Sequence, residues 1–404
     1  LQYIQPLGLA VKTLPGLADL VSGKATISDI RDVNVSDLLS RSEVGADNAL
    51  MQLVITGSCV MVTGAGGSIG SELCRQIARL KPETLVLFEI SEFALYQIEQ
   101  NLLKYPESAQ VRIVPVLGSV LDRPFMTSVL RRHGVQTVFH AAAYKHVPLV
   151  ESNIAAGVRN NVLGTLAAAE AALEQGVKRF ILVSTDKAVR PTNVMGASKR
   201  VAEMTLQSMS SRGSQTVFAM VRFGNVLDSS GSVVPRFRMQ IYAGGPVTVT
   251  HPDITRYFMT IPEAANLVIQ AGAMAKGGEV FLLDMGKPVK IDSLARTMIQ
   301  LMGRTVQDEL GNGDIEIRYS GLRPGEKLYE ELLIDAAADP TGHPKIFKAH
   351  ESYPGKDAMD AILAGLAQAC ERLDIETVRL MLSESVVGYA PDALIVDPFG
   401  CADK

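Results

Sequence analysis

The sequence predicts an α/β protein, a doubly wound parallel sheet carrying a smaller α+β domain. Three observations point there. From about residue 59 short apolar runs alternate with segments of helical periodicity. The runs are dense in Val, Ile, Leu and Phe, as strands are when helices cover both faces of a sheet. A glycine-rich turn follows the first run, where the first crossover of such a sheet begins.

The elements read in order. Predicted strands are Val60–Thr63, Leu85–Glu89, Val111–Leu117, Thr137–His140, Arg179–Ser184 and Val217–Arg222. Right-handed crossovers between them give a Rossmann-type domain over 46–222. Asp122 can cap a helix with Pro124 in its first turn, and Gly134 can close it. Gly176 ends the helix that begins after Asn153. After Arg222 Gly and Pro become frequent, and strand-like pieces such as Val247–Thr250 interleave with helices. This texture predicts a smaller α+β domain over about 223–345, with part of 255–285 returning to the main sheet. Residues 346–404 form a tail whose 357–384 stretch reads as helical. Residues 1–45 read as a piece of an upstream α/β region, two short helices around a strand.

Composition removes several classes. The chain has 404 residues, 39 Lys plus Arg against 43 Asp plus Glu, and no long basic stretch, which argues against non-specific nucleic-acid binding. Apolar residues at 47% exclude global disorder. Cys59, Cys74, Cys370 and Cys401 lie far apart without CxxC spacing, so neither a disulfide framework nor a zinc site is expected. His140 and His146 lack a ligand pattern and read as structural. Asn48 to Ser71 carries no charge, yet its glycines and polar residues fit a buried strand and a loop better than a membrane span. No signal peptide is expected ahead of it.

The sequence VMVTGAGGSIGSE joins a strand to a helix. Gly64 permits a tight turn, Gly67 lets the backbone approach a pyrophosphate, and Gly70 lets helix and strand pack closely. With Gly66, Ser68 and Ile69 they would cradle a dinucleotide against the amides of a helix N-terminus. The bland alternative is a packing loop. It is disfavoured because the next strand ends in Glu89, 19 residues past Gly70. That carboxylate can accept from the adenosine ribose hydroxyls and would repel the extra phosphate of NADP, which favours NAD. Ser119 and Val120 follow the third strand, where adenine would lie. Ala141 and Ala142 follow the fourth, near the nicotinamide side, and could equally be small core residues.

The fifth strand runs into Ser184, Thr185, Asp186 and Lys187, and the next helix reads NVMGASKR. Short-chain dehydrogenases place a Tyr four residues before the helix Lys, on the same face. Here Lys199 is present and Met195 holds the tyrosine position. A thioether cannot exchange a proton, so an ordinary alcohol dehydrogenase or sugar epimerase is disfavoured. By itself such a Met is more often core.

Together TGAGGSIGSE, STDKAVRPTNVMGASKR, VRFGNVLDSSGSVVPRF and GLRPGEKLYEEL resemble the long-form UDP-N-acetylglucosamine 4,6-dehydratases, bacterial surface-glycan enzymes of the extended short-chain dehydrogenase superfamily. The resemblance covers about residues 55–340. Ser119 departs from it, standing where an Asp often contacts adenine. The reaction it implies oxidises carbon 4 of the sugar by hydride transfer to a tightly bound, recycled NAD. The keto group acidifies the carbon 5 hydrogen, a base removes it, an acid protonates the departing carbon 6 hydroxyl, and the hydride returns to carbon 6. On that reading Asp186 is the acid and Lys187 the base, neutral through desolvation or the nearby Lys199 cation. Thr185 bonds the carbon 4 oxygen and Lys199 holds the nicotinamide ribose. The bland reading of Asp186 and Lys187 is an exposed loop pair, worth little.

The resemblance also implies a substrate set. Lys145, His146 and Asn225 would meet the sugar or diphosphate. Ser230, Gly231, Ser232 and Val233 would lie along the nucleotide, and Val247 and Thr248 near the uracil. Arg256 and Arg323 would hold phosphate, and Glu326 the uridine ribose. It implies further that the chain is a soluble piece of a homo-oligomeric protein at the cytoplasmic face of the inner membrane, anchored through a segment outside it. Rival readings are a carbon 5-inverting dehydratase, a carbon 4 epimerase, and a non-catalytic NAD-binding protein. Met195 argues against the epimerase, and the retained Asp186–Lys187 pair against the last.

Overall fold

A computed structural model describes residues 12–13, 31–32, 47–331, 338–391 and 397. They fall into two compact units. The larger holds described residues of 43–224, 261–285 and 324–404. The smaller holds those of 1–42, 225–260 and 286–323.

In the larger unit a helix, α1 (Asn48–Ile55), precedes the sheet. Five βα steps and a sixth strand follow as expected: β1 (Cys59–Thr63), α2 (Ser68–Arg79), β2 (Thr84–Glu89), α3 (Glu92–Leu103), β3 (Arg112–Leu117), α4 (Arg123–His133), β4 (Thr137–His140), α5 (Gly164–Glu174), β5 (Arg179–Val183), α6 (Val194–Ser211) and β6 (Val217–Arg222). α7 (Ile261–Met274) leads into β7 (Glu279–Leu283), and then come β8 (Ala338–Pro340) and β9 (Ile346–Ala349). The nine strands run in the order β8-β9-β7-β6-β5-β4-β1-β2-β3. The stretch from β7 to β3 is parallel, while β9 runs antiparallel to β7 and β8 to β9. This is the predicted doubly wound fold, with β7 added by the returning 261–285 segment.

The sequence drives this arrangement locally. Every residue of β1 and β2 is buried, which is why their apolar runs do not alternate. Asp122 caps α4 through the Phe125 amide at 3.0 Å, and Gly134 ends it at φ +59°. Met61, Phe88, Phe180 and Phe218 pack with the alanines of α5 into one core. Burying a side chain such as Phe218 stabilises by about 1.5–3 kcal/mol.

Two expectations are corrected. The described residues of 324–345, a stretch assigned from sequence to the smaller domain, lie in the larger unit, and β8 at 338–340 joins the main sheet. The pattern missed it because an antiparallel edge strand of three residues carries almost no periodicity. The helical tail is α8 (Lys356–Glu371) and α9 (Ile375–Ser385), and it is no appendage. Met359, Leu363, Leu366, Val378 and Leu382 form one buried apolar cluster with Val158, Val194 and Val201.

The smaller unit is built from short pairs. Val247–Val249 runs parallel to Ile317–Tyr319, Asn225–Val226 parallel to Phe258–Met259, and Thr255–Arg256 antiparallel to Val289–Lys290. Helices Val233–Tyr242 and Ile291–Leu301 complete it. Lys12–Thr13 pairs antiparallel with Arg31–Asp32. The two short helices expected in 1–45 lie outside the described residues, as does Cys401. Cys59, Cys74 and Cys370 are buried free thiols. Among the described residues no helix is long and apolar enough to cross a membrane.

Candidate active site

The glycine loop crosses from β1 to α2. Gly64 sits at φ +65°, and a Cβ on it would stand 2.8 Å from the Ala142 amide nitrogen. A Cβ on Gly70 would stand 1.9 Å from the Gly64 carbonyl oxygen, so only hydrogen lets α2 approach β1 this closely. Gly67 precedes α2, and neither a capping side chain nor an acidic first-turn residue occupies that end, beside Ser68 and Ile69. A helix end of this kind suits an anion. Gly66 has a role the spacing did not reveal. It lies against α3, where a Cβ would meet Ala94 Cβ at 2.4 Å.

Glu89 is buried at the end of β2. Its Oε2 accepts from the Gly66 amide at 2.9 Å, and its Oε1 from those of Ile90 and Ser91 at 2.9 and 3.1 Å. The expected ribose acceptor therefore also braces the loop. Ser119 Oγ accepts from the Leu121 amide at 3.2 Å, and Val120 is buried against Gly164. Val120 is thus a packing residue that shapes the loop after β3.

His140 orients the loop after β4. Thr165 donates its hydroxyl proton to the Asn161 carbonyl at 2.7 Å, so its oxygen is left to accept from His140 Nε2 at 3.1 Å. That places the ring hydrogen on Nε2 and leaves Nδ1 to accept from Thr63 Oγ1 at 2.8 Å. Burial, with the Lys199 cation nearby, pushes His140 down to about 3, so the ring stays neutral. Thr63 Oγ1 in turn accepts from the Ala142 amide at 3.4 Å. The chain of bonds fixes Ala141 and Ala142 beside the glycine loop. Asn161 adds a second anchor, sequence-silent, because it clasps Tyr144 through N–H and carbonyl at 2.8 and 3.0 Å and bonds Ser198 on α6 at 3.0 Å.

Beyond β5 the chain turns through a single 3-10 turn, Asp186–Ala188. Lys187 Nζ stands 3.1 Å from Asp186 Oδ1 and 3.4 Å from Glu330 Oε1. Thr185 Oγ1 donates to the same Asp186 Oδ1 at 2.9 Å, so its proton serves the carboxyl. Asp186 Oδ2 is buried and unpartnered. Burial pushes Asp186 above the usual carboxylate range against the opposing pull of Lys187, and Glu330 adds to the rise. The cluster is enclosed, not an exposed loop pair. A Cβ on Gly196 would stand 2.1 Å from the Lys187 carbonyl oxygen, so the Gly of NVMGASKR is what lets α6 reach the turn.

Lys199 is buried and donates to the Val183 carbonyl at 2.7 Å, and burial lowers it to about 8 against the pull of Glu203. Met195, expected at the catalytic tyrosine position, belongs to the apolar cluster with α8 and α9 at 3% exposure. Its thioether packs, in keeping with its chemistry.

Sequence reasoning missed the charge network under this turn. Ser184 Oγ donates to Glu203 Oε1 at 2.6 Å. Arg222 meets Glu203 at 2.7 and 2.5 Å and also pairs with Glu351, while Arg200 reaches Glu203 at 3.1 Å and Glu351 at 3.0 Å. A charged residue inside an apolar strand, Arg222 in VFAMVR, was the available signal.

The substrate set divides between the units. Lys145 and His146 are exposed in the larger unit, and Glu326 is half-buried there. In the smaller unit the Asn225 amide donates to the Tyr257 carbonyl at 3.2 Å. Gly231 sits at φ +71°, and Ser232 precedes helix Val233–Tyr242 with its Oγ buried and unpartnered. Val233 is half-buried and Ser230 exposed. Val247 is fully buried, so its side chain is core. Thr248 Oγ1 accepts from Gln240 at 2.8 Å and from Arg236. Arg256 is buried and donates to the Thr255 carbonyl at 2.7 Å, while Arg323 is exposed.

A family model described as polysaccharide biosynthesis protein matches residues 60–351. The chain is 48% identical over 360 residues to the capsular polysaccharide biosynthesis protein CapD of Staphylococcus aureus, covering 89% of this chain and 59% of that relative's length. Among solved structures it resembles Pen from Bacillus thuringiensis at 30% identity and TM-score 0.66, covering 77% of this chain and 98% of that one. It shares the fold of DesIV, a dTDP-glucose 4,6-dehydratase from Streptomyces venezuelae with NAD bound, at 20% identity and TM-score 0.58, covering 68% and 87%.

Proposed function

The chain belongs to the polysaccharide biosynthesis protein family, and from that premise we propose that it carries the catalytic part of an NAD-dependent 4,6-dehydration of UDP-N-acetylglucosamine with retention at carbon 5. The observation that carries the reading is the buried Asp186–Lys187 pair at 3.1 Å. A dehydration needs an acid for the leaving hydroxyl and a base for the carbon 5 hydrogen, held together away from water. Asp186, whose carboxyl burial raises above the usual range, has a buried unpartnered oxygen from which to donate. Lys187 as an amine takes the carbon 5 proton and returns it to the same face, which gives retention. Lys199 steadies the nicotinamide ribose and brings positive charge toward the carbon 4 oxygen.

NAD, when bound, supplies reversible hydride acceptance. The glycine cradle, the uncapped start of α2 and the acid at Glu89 fit that dinucleotide. Asn225, Ser230, Gly231, Ser232, Arg256 and Arg323 are proposed for the nucleotide sugar, with Lys145, His146 and Glu326. Val247 contributes as packing beneath Thr248. We place the reaction in bacterial surface-glycan synthesis at the cytoplasmic face of the inner membrane, following the resemblance.

The test is incubation with UDP-N-acetylglucosamine and no added cofactor, read by mass spectrometry for the loss of one water. Proton NMR in heavy water reads the carbon 5 configuration. Asp186→Asn and Lys187→Ala should each abolish water loss and leave NAD bound. A product that keeps its water and differs only at carbon 4 would make the chain an epimerase. Near-normal turnover in either variant would remove the acid–base assignment.

A further inference from the structure

The Asp186–Lys187 pair has a third partner. Glu330 lies far along the chain, on GLRPGEKLYEEL, and its carboxylate stands 3.4 Å from Lys187 Nζ. The Glu330 side chain is 4% exposed, Lys187 18% and Asp186 1%.

The approach is built by its neighbours. The Gly325 carbonyl accepts from Thr192 Oγ1 at 2.9 Å and from Asn193 Nδ2 at 3.0 Å. A Cβ on Gly325 would stand 2.8 Å from Asn193 Cβ, so this contact also requires a glycine. Asn193 Oδ1 meanwhile caps α6 at the Gly196 amide, 2.8 Å away. Two residues past Gly325, Lys327 Nζ donates to the Val189 carbonyl at 3.1 Å. One residue past Glu330, Glu331 pairs with Arg190. The segment is thereby fastened along residues 189–193, with Glu330 turned to Lys187.

One ammonium therefore stands between two buried carboxylates. With all three groups ionised the cluster would carry a net negative charge in a dry place, which is costly. One extra proton makes it neutral, and the groups then titrate together. Of the three arrangements with that proton count, two keep Asp186 as the acid: one with a Lys187–Glu330 ion pair, the other with a neutral amine and a Glu330 acid.

We infer that Glu330 is the third member of this acid–base set, a positioning residue that acts through Lys187 by sharing its proton. The inference deepens the dehydratase reading and rests on it. In the exchange a Lys187 N–H bond breaks, an O–H bond forms on Glu330, and the amine keeps the electron pair. Lys187 can then take the carbon 5 proton while Asp186 still holds the one destined for the leaving hydroxyl. Reverse transfer restores the ammonium, and no co-reactant enters.

The test uses Glu330→Gln and Glu330→Asp in the 404-residue chain. Turnover of UDP-N-acetylglucosamine is measured alongside the rate at which acetic anhydride acetylates Lys187 at one fixed pH, read by peptide mass spectrometry. Glu330→Gln should lower turnover about 100-fold with little change in KM. It should also speed Lys187 acetylation roughly tenfold, one pKa unit, because the ammonium loses its anion. Glu330→Asp keeps a carboxylate and should restore part of both. A fully active Gln variant overturns the inference. So does one that loses turnover while Lys187 acetylation is unmoved, since a purely structural role would do that. Failure of the dehydratase reading looks different: the unmodified chain releases no water from the sugar, whereas acetylation of Lys187 still answers to residue 330.

Discussion

Asp186 Oδ2 occupies the space a side chain on residue 224 would need: a Cβ there would stand 2.7 Å from it and 3.2 Å from Met285 Cε. Gly224 is therefore what allows the proposed acid to sit buried just beyond β6. Gly224→Ala should displace the carboxyl and destabilise by about 1–3 kcal/mol, as overpacking does. Turnover should fall more than the melting shift explains, with NAD retention unchanged. Paired turnover and melting measurements check this, and an Ala variant with unimpaired water loss would mean the acid tolerates displacement.

Glu89 accepts three backbone amides, including that of Gly66. Glu89→Arg should turn the dinucleotide preference toward NADP, because the repelling carboxylate becomes a phosphate partner. It should also weaken both dinucleotides, since the loop loses its brace and buried amides lose an acceptor at about 1–3 kcal/mol. Competitive titration with the two dinucleotides measures both effects. An unchanged preference would refute the ribose assignment.

The six parallel strands and the glycine loop were legible because buried parallel strands and tight turns each restrict composition locally. Asp122 and Gly134 marked the ends of α4 for the same reason. Glu330 was not legible as a site residue. Its meeting with Lys187 depends on Gly325 packing on Asn193, a contact between segments more than a hundred positions apart. The Arg222–Glu203 pair was hidden likewise, since neither residue alone specifies a partner. Met195 was legible as a departure from the tyrosine pattern, but its place among residues of α8 and α9 required the tail to fold back.

Lys199 is held at about 8, well below its ordinary 10.5, by burial. The unfolded chain binds more protons between those values, so this residue costs stability below pH 8 and the cost fades as pH rises toward 10. Lys199→Met removes the buried ammonium but leaves the Val183 carbonyl without its donor. The first effect is the larger, so the variant should gain about 1–2 kcal/mol at pH 7. It should lose NAD. Urea unfolding at pH 7 and at pH 10 tests this, and the gain should shrink at the higher pH. A variant destabilised at both would show that the lysine is held by more than its carbonyl bond.

Glu203 makes the opposite prediction. Burial opposes its charge, yet Arg222 foremost, with Arg200 and Ser184, outweighs that and holds the carboxyl below its ordinary range. A lowered carboxylate gives stability that is present above the unfolded value of about 4.3 and is lost as pH falls through the folded one. Glu203→Gln removes one anion from a buried network of two arginines and Glu351. It should cost about 3–5 kcal/mol at pH 7, the range for a buried pair broken on one side. Acidification should then narrow the gap between the two proteins, because the unmodified chain loses what the variant never had. Denaturant midpoints taken from pH 7 down to about 3 read this directly. Should the gap stay constant over that range, Glu203 would titrate alike in the folded and unfolded chains and the charge network beneath Ser184 would have to be redrawn.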